Sequence, residues 1–294
     1  MNTQNRFFNY STYTQEKTFS FAKNSSIGCG GVAEIAFYPR SVTEMISLVE
    51  QLRKDGIPYY VLGNLTNVLP PDGATERVVI RTKNLNGILL TDSGCFAYAG
   101  ATSGALLNAC RREQKSGVEF LNGIPCSLGG ALYMNAGAGG TYMDTIVDNV
   151  LVLRDGKTKL ISKTDCKYTY KHSVFMENDD IILGANLRLT KANADEITVR
   201  ENDYADRRKH LPKGRSMGCV FKNPKDRFAG DLIERSGFKG MRIGGAKVSE
   251  MHANFIINDR GATSSHIRSL ITVIKNGVFA QYGVQLDEEI RYLE

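Results

Sequence analysis

The stretch that decides the fold of this chain is GIPCSLGGALYMNAGAGG at residues 123–140. So many small residues let the backbone approach a flat or phosphorylated ligand closely, and exposed N–H groups can then bond its edge. A tightly packed glycine hinge is the alternative. The longer uncharged stretch from Phe120 to Met143 contains Gly, Pro and Asn residues that would break a membrane helix. We therefore expect a ligand-wrapping loop there.

A second polar segment follows a predicted strand, in the order Val61-Leu62-Gly63-Asn64-Leu65-Thr66-Asn67. Gly and Asn tolerate positive φ, so successive backbone N–H groups can converge into an anion-binding nest that a diphosphate would fit. The alternative is an ordinary polar turn. Neither segment matches the glycine patterns of Rossmann or P-loop proteins in the context that those patterns need.

Two segments near the C-terminus also carry reactive side chains. GCVFKNP at 218–224 brings a thiol, an ammonium group and a carboxamide together, and alternation in a strand would place Cys219, Phe221 and Asn223 on one face. GVQLDEEIRY at 283–292 would likewise align Gln285, Asp287, Glu289 and Arg291. The alternatives are a core cysteine and a solvated edge strand.

The hydrophobic pattern around these segments predicts an α+β fold. A strand at 34–38, a helix that begins at Val42 and is stopped by Asp55-Gly56, and a strand at 59–62 form a βαβ unit. A polar stretch at 191–215, predicted as a solvated helix ending near Pro212, separates an N-terminal ligand domain from a smaller C-terminal lobe. The other predicted elements are strands at 77–81, 87–90, 95–99, 147–153, 181–189, 253–257 and 284–292, and helices at 103–114, 229–236 and 264–278.

Composition narrows the possible functions. The formal net charge of +6 comes from 37 Lys and Arg against 31 Asp and Glu, and the only dense basic run is 207–210. This favours an anionic small molecule over nucleic acid. The six Cys form no CxxC and the four His no HExxH, so we expect reduced thiols, a cytoplasmic location and no structural metal. The N-terminus lacks the apolar run of a secretory signal.

Taken in order, these segments resemble the shorter variant of the UDP-N-acetylenolpyruvoylglucosamine reductase family, from about Ser25 to the end of the chain. The motifs that carry the resemblance are GGVA at 30–33, GNLTN at 63–67, GIPCSLGGALYMNAGAGG at 123–140, YKHS at 170–173, GCVFKNP at 218–224, AGDLIERSGFKG at 229–240, GGAKVSEMHANFIIN at 244–258 and GVQLDEEIR at 283–291.

The resemblance implies an α+β protein with a two-subdomain FAD-binding part of the UDP-N-acetylenolpyruvoylglucosamine reductase/vanillyl-alcohol-oxidase type and a C-terminal α+β substrate domain. The expected bounds are 1–200, with two α/β subdomains split near residue 83, and 201–294. It further implies noncovalent FAD, NADPH as electron donor, and reduction of UDP-N-acetylglucosamine enolpyruvate to UDP-N-acetylmuramate in cytoplasmic peptidoglycan precursor synthesis, and so roles in cell wall biogenesis, cell shape and cell division. We expect a monomer without nucleic-acid or membrane partners.

By resemblance, Lys171 and Glu289 face the substrate carboxylate and Cys219 delivers a proton, while Tyr170, Lys222 and Asn223 bind substrate. The residues expected to bind FAD are Gly63, Asn64, Leu65, Thr66, Asn67, Gly123, Ile124, Pro125, Ser127, Gly129, Gly130, Ala131, Asn135, Ala136 and Gly137. The family usually has Ser at position 219 and Arg at position 171. A thiol, with a reference pKa of about 8.5, is a stronger acid than an alcohol, whereas Lys gives up the bidentate fork of Arg.

Two other functions stay open on the sequence alone. One is another FAD oxidoreductase on the same scaffold, such as a sugar or alcohol oxidase; such enzymes commonly tether flavin through His or Cys, and the glycine loop here has no His. The other is a non-catalytic paralogue that binds a nucleotide sugar. The substitutions at Lys171 and Cys219 motivate it, but the retained Glu289, Asn223 and flavin loops argue against it.

Overall fold

The structure is a computed structural model that describes residues 7–293. Its strands are β1 (Gln15–Ser20), β2 (Val32–Phe37), β3 (Tyr59–Leu62), β4 (Val68–Leu69), β5 (Val78–Arg81), β6 (Ile88–Thr91), β7 (Gly94–Tyr98), β8 (Lys115–Ser116), β9 (Gly137–Ala138), β10 (Thr141–Tyr142), β11 (Val147–Arg154), β12 (Lys157–Ser162), β13 (Ile181–Arg188), β14 (Thr190–Lys191), β15 (Ser216–Cys219), β16 (Arg242–Ile243), β17 (Ala246–Val248), β18 (Phe255–Asn258) and β19 (Arg291–Tyr292).

The α-helices are α1 (Phe21–Asn24), α2 (Val42–Lys54), α3 (Ser103–Arg112), α4 (Leu128–Met134), α5 (Ala194–Arg207), α6 (Ala229–Arg235) and α7 (Ser264–Tyr282). Short 3-10 turns lie at Phe8–Tyr10, Thr82–Asn84, Glu119–Leu121, Met143–Thr145 and Val174–Met176.

The described chain divides into two compact units that are not continuous in sequence. Unit 1 runs up to Phe19 and includes Glu34–Asn64 and Glu76–Arg208. Unit 2 consists of Ser20–Ala33, Leu65–Thr75 and the chain from Lys209 onward. The chain therefore passes between the units within the GNLTN segment, after Asn64. The domain bounds expected from the sequence, 1–200 and 201–294, stay a prediction.

Unit 1 contains two large sheets and two short two-stranded ones, β10-β9 and β14-β8. In the four-stranded sheet of order β1-β2-β5-β3, β5 pairs in parallel with both β2 and β3. The five-stranded sheet, of order β12-β11-β13-β7-β6, is antiparallel. Helix α2 begins at the Ser41 cap and buries Met45, Leu48, Val49 and Leu52, so the predicted βαβ unit and its apolar helix face are confirmed. The parallel strands end together beside Gly63, which is where the polar GNLTN segment begins.

Unit 2 is built on a four-stranded sheet of order β15-β18-β17-β16 and on helix α7. Helix α7 buries Ile267, Leu270, Ile271, Ile274 and Val278, as the pattern predicts. It continues one turn further, to Tyr282, and ends at Gly283 in the left-handed region with φ +65°. Strand β19 pairs in parallel with β4, which brings the end of the described chain beside the residues that follow GNLTN.

Two predictions about secondary structure are wrong. The stretch 120–143, expected as a loop, contains helix α4 and the strands β9 and β10. Burial of Leu128, Ala131, Leu132 and Met134 stabilises this short helix despite its two glycines. The strand expected over 284–292 is limited to Arg291–Tyr292, because Gln285–Glu289 contacts a neighbouring segment through one isolated bridge, Phe221 to Glu288.

Over residues 7–293 no helix is long and apolar enough to cross a membrane. The same residues bring together no group of three or more His, Cys, Asp or Glu side chains suited to a metal ion. All six cysteines are free thiols.

Candidate active site

In unit 1, the glycine-rich segment forms a tight bend that leads into α4. Ser127 is the N-cap residue, and its hydroxyl accepts a long 3.4 Å hydrogen bond from the Gly130 N–H. The next two N–H groups are tied to a neighbouring loop, since Leu128 donates to Ala101 O at 2.8 Å and Gly129 donates to Ala99 O at 2.8 Å. The start of α4 is therefore held in place by the chain itself.

The segment after β3 contacts this bend directly. A Cβ added to Gly63 would lie 2.0 Å from the Ser127 Oγ, so a side chain at this position would displace the Ser127 hydroxyl. The Asn64 side chain donates to Pro125 O at 3.3 Å. The Asn64 N–H donates to no other atom of residues 7–293. The structure thus brings Gly63 and Asn64 together with 123–130, leaving one backbone donor available.

The glycines of the bend differ in what surrounds them. A Cβ on Gly129 would lie 3.0 Å from the Ala99 Cβ, and one on Gly137 would lie 2.1 Å from Thr141 O. Both positions are filled by the protein. A Cβ on Gly130 would meet only the Ser127 Oγ, at 3.4 Å. The side of α4 at Gly130 is therefore open, and it could face a ligand.

At the start of the bend, an arginine contacts the backbone of Gly123 and the neighbouring Cys126 is an unreactive thiol. Gly123 has φ +77°, and the Arg208 Nε donates to its carbonyl oxygen at 3.2 Å. Burial raises the pKa of the Cys126 thiol to about 11, so this thiol stays protonated at neutral pH. Cys126 is thus a buried packing residue between Pro125 and Ser127.

At its other end, α4 stops at Asn135, which has φ 43° and is 2% exposed. The Asn135 side chain donates to Thr169 O at 3.0 Å and accepts from the Asp144 N–H at 3.0 Å. Ala136 and Gly137 continue into β9, with Gly137 paired to Tyr142. Helix α4 therefore separates these three predicted cofactor residues from Ser127, and both polar groups of the Asn135 side chain form hydrogen bonds within the protein.

The predicted substrate residues Tyr170 and Lys171 lie in a tight turn. Thr169 and His172 exchange backbone hydrogen bonds of 3.2 Å in each direction, which closes the turn. Lys171 adopts φ +55°, in the left-handed region. Tyr170 is exposed and meets Tyr142 edge-on, with ring centroids 6.1 Å apart. Tyr170 and Lys171 are thus the two central residues of one closed turn.

In unit 2, the predicted residues Cys219 and Glu289 lie on adjacent backbone segments. The Glu289 N–H donates to Val220 O at 2.8 Å, and the Lys222 N–H donates to Asp287 O at 2.8 Å. On the other side, Cys219 pairs with Phe255 of β18. Cys219 is half-buried, whereas the other five cysteines are buried. The fold therefore brings together two residues that the sequence could only single out separately.

The rest of GNLTN lies in unit 2, next to the same segments. Leu65 is buried at φ +52°, and the N–H groups of Leu65 and Thr66 donate to no atom of residues 7–293. The Asn67 side chain donates to Glu289 O at 3.1 Å. Asn67 therefore helps to fix the backbone of Glu289.

Lys222 is half-buried and Asn223 is exposed. The Asn223 side chain accepts the Ala229 N–H at 3.0 Å and so caps the first turn of α6. The sequence predicts that Cys219, Phe221 and Asn223 share one face. This is wrong for Phe221, which is 1% exposed, whereas Cys219 is half-buried and Asn223 is exposed. Strand β15 ends at Cys219, so the alternation of a strand does not continue to Phe221 and Asn223.

Sequence reasoning missed two contributors to this geometry. The small residues Ala99, Ala101, Thr102 and Ser103 form the loop against the bend, and the Ser103 hydroxyl donates to Ile124 O at 2.5 Å. Their run of small residues, AGATSG at 99–104, was the available signal. The second is Asn254, whose side chain bonds both the N–H and the C=O of Phe221 at 2.9 and 2.8 Å; no local signal points to it.

These features fit a flavin dinucleotide. An anionic diphosphate needs backbone N–H donors at residues that tolerate close approach, and in unit 1 the Asn64 N–H is such a donor. A flat ring needs an unfilled surface, and Gly130 offers one. Residues 33–161 match the family model described as FAD binding domain. The class of protein is thus a flavoprotein.

The chain belongs to the UDP-N-acetylenolpyruvoylglucosamine reductase family. Residues 209–293 match the model of that reductase's C-terminal domain. The reductase of Clostridioides difficile is 38% identical over 275 residues, 92% of this chain and 90% of the relative. That of Caldanaerobacter subterraneus subsp. tengcongensis is 38% identical over 272 residues, with coverages of 92% and 90%. The resemblance found in the sequence is confirmed.

Solved structures agree with this family and with the α+β architecture. The crystal structure of UDP-N-acetylenolpyruvylglucosamine reductase from Thermus caldophilus superposes with a TM-score of 0.82 at 28% identity, over 96% of this chain and 99% of that one. A solvent-stable cholesterol oxidase shares the fold over 62% of this chain and 38% of its own, with a TM-score of 0.50 at 16% identity. The expected fold class is therefore confirmed.

Proposed function

We propose that this chain reduces UDP-N-acetylglucosamine enolpyruvate to UDP-N-acetylmuramate with NADPH as the electron donor. Bound FAD supplies the chemistry that this reaction needs, by accepting a hydride from NADPH and delivering one to C3 of the enolpyruvyl group. The protein then has three tasks: to hold the cofactor, to stabilise the negative charge that develops beside the substrate carboxylate, and to deliver a proton to C2.

In unit 1, the cofactor is held noncovalently by Gly63 and Asn64 together with the bend. The available Asn64 N–H and the open face at Gly130 support this assignment. The bend residues in the proposal are Gly123, Ile124, Pro125, Ser127, Gly129, Gly130 and Ala131. Asn135, Ala136 and Gly137 complete the proposed wall at the far end of α4.

Lys171 supplies positive charge for the substrate carboxylate, and Tyr170 contacts the substrate. Charge placed in advance where an anion develops lowers the barrier, because no reorganisation is needed when the reaction occurs. The tight Thr169–His172 turn supports this role, since it restricts the positions that Lys171 can take.

In unit 2, Cys219 donates the proton that C2 accepts, and Glu289 faces the substrate carboxylate. Half-burial of Cys219 among otherwise buried cysteines supports an accessible, reacting thiol. The hydrogen bonds from Glu289 N–H to Val220 O and from Asn67 to Glu289 O support a fixed Glu289 backbone. Leu65, Thr66 and Asn67 bind the cofactor from this unit, while Lys222 and Asn223 face the nucleotide of the substrate.

The observation that carries the proposal is the 38% identity to a reductase over 92% of the chain, which spans both units. We also propose that the protein works as a monomer in the cytoplasm, where the nucleotide-sugar substrate is made, and that residues 1–200 form the FAD-binding part and residues 201–294 the substrate-binding domain.

Product analysis tests the proposal. The purified protein is incubated with UDP-N-acetylglucosamine enolpyruvate and NADPH in D₂O, and the product is isolated. We expect UDP-N-acetylmuramate that carries deuterium at C2, because that proton comes from an exchangeable donor such as the Cys219 thiol. Recovery of unchanged substrate from protein loaded with FAD would contradict the proposal, as would flavin that stays attached after denaturation.

A further inference from the structure

The turn that carries Lys171 has two anchors on α4. The Ser173 hydroxyl, which belongs to a residue that is 0% exposed, donates to Tyr133 O at 2.6 Å. The Asn135 side chain donates to Thr169 O at 3.0 Å. Tyr133 and Asn135 are at the C-terminal end of the helix whose N-terminal end forms the cofactor bend. One short helix is thus connected at its two ends to the bend and to the turn.

The Asn135 side chain is well suited to this bridging role. Its carbonyl oxygen accepts the Asp144 N–H at 3.0 Å while its amide donates to Thr169, so the side chain cannot rotate without losing a bond. The residue also ends α4, with Ala136 N–H donating to Ala131 O at 2.8 Å. Asn tolerates this left-handed backbone better than most residues. Its geometry is therefore fixed by the helix end and by the side chain together.

Lys171 depends on this support more than an ordinary surface residue would. It lies in a two-residue turn that the Thr169–His172 backbone pair closes, and its own φ of +55° is unfavourable for a residue other than glycine. Such a conformation persists where surrounding contacts hold it. The contacts to α4 flank it on both sides, at Thr169 and at Ser173.

We propose that Asn135 and Ser173 are positioning residues for Lys171, which hold the Thr169–His172 turn in register with the cofactor bend through α4. The proposal rests on the role of Lys171 in the proposed function. It gives Asn135 a task distinct from direct contact with FAD, since both polar groups of its side chain are engaged by the protein.

The experiment uses Asn135→Asp, which keeps the side-chain shape and the tolerance of left-handed φ but removes the donor to Thr169 O. Ser173→Ala removes the second anchor independently. The matched control is Asn186→Asp, because Asn186 also donates from its amide, to the Asn149 Oδ1 at 2.8 Å in the antiparallel sheet of unit 1. We expect Ser173→Ala and Asn186→Asp to retain FAD and to be bleached by NADPH at the normal rate, and the reoxidation rate of every variant is measured on its FAD-loaded fraction.

Reoxidation by the enolpyruvyl substrate should slow roughly 10-fold in Asn135→Asp and Ser173→Ala, because small misplacements of a charge-stabilising group are costly. It should be unchanged in Asn186→Asp. Calorimetric titration of the oxidised protein with the same substrate gives a readout other than activity. Weaker binding is expected for the two anchor variants alone.

A double-mutant cycle then separates positioning from general damage. Lys171→Met should slow reoxidation roughly 10²-fold. In that background Asn135→Asp should change both the rate and the substrate affinity by less than about 2-fold, since no ammonium group is left to position. If the two effects multiply instead, Asn135 acts independently of Lys171 and the positioning role is overturned. If Lys171→Met alone has no effect, the proposed role of Lys171 fails, and this inference fails with it.

Discussion

Replacing Gly130 with Leu should keep or raise the thermal stability of the apoprotein and lower its affinity for FAD. An added Cβ meets only the Ser127 Oγ, at 3.4 Å, so the chain can accept the side chain. Gly130 is the third residue of α4, and Leu is a better helix former than Gly by about 0.5–1 kcal/mol. The apoprotein should therefore melt at the same temperature or up to about 2–4 °C higher.

The cofactor should be lost from the same variant. An isobutyl group would occupy the space that we assign to FAD, and forcing extra methylene groups into a packed contact costs about 1–3 kcal/mol or more. Since 1.4 kcal/mol is tenfold, FAD affinity should fall about 5- to 150-fold. The assay is titration of apoprotein with FAD, followed by flavin absorbance, alongside a thermal melt of the apoprotein.

Two neighbouring glycines provide the controls. Gly104→Leu makes the same change at an exposed position of α3 with nothing within 4 Å, so FAD affinity should not change. Gly129→Leu would force a Cβ to 3.0 Å from the Ala99 Cβ, so stability itself should fall by about 1–3 kcal/mol. Full FAD binding by a folded Gly130→Leu protein would refute the assignment of this face to the cofactor.

Three further predictions follow from unit 2. Glu289→Gln should leave bleaching by NADPH nearly intact and slow reoxidation by substrate roughly 10²-fold in stopped-flow traces; equal loss in both steps would assign Glu289 to folding. Cys219→Ala should depress only the second step and Cys219→Ser should restore much of it, and iodoacetamide should label Cys219 alone, since the other five thiols are buried; unchanged turnover in Cys219→Ala would remove the thiol from the mechanism. Burial, and then the charge of stacked His210, lower the pKa of His252, whose Nδ1 accepts the Asn254 N–H at 3.2 Å. Below about pH 6.5 the unfolded chain therefore binds a proton at this histidine more readily than the folded unit does. The urea midpoint should fall as pH drops below about 6.5 in wild type, and it should fall less in His252→Gln. Equal acid sensitivity in both proteins would contradict this.

The elements that the sequence predicted best are those with a regular apolar period. Strand β3 has the predicted bounds, and α2 begins at the predicted residue. The predicted end of helix α7, at Val278, is too early because the last turn of the helix is exposed. Phe279, for example, is 58% accessible, so the buried apolar face does not continue into that turn. Helix α4 was missed for a different reason. It is stabilised by burial within unit 1 and by contacts with the Ala99–Ala101 loop, and local helix propensity reports neither of these.

The site was predicted at the level of segments and not of individual side chains. Residue types and motif order pointed to Gly130, Lys171, Cys219 and Glu289, but Gly129 and Gly130 look alike in the sequence. Only the fold shows that one packs on Ala99 and the other faces open space. The bond from Asn135 to Thr169 likewise depends on contacts between distant segments, which a single sequence cannot supply.

Measuring NADPH oxidation by absorbance, with and without UDP-N-acetylglucosamine enolpyruvate, shows directly whether this chain reduces the enolpyruvyl substrate. We expect purified protein loaded with FAD to oxidise NADPH slowly alone and much faster with this substrate, with one NADPH consumed for each UDP-N-acetylmuramate formed. The same rate with and without substrate, in protein that retains its FAD, would mean that this chain does not reduce the enolpyruvyl substrate.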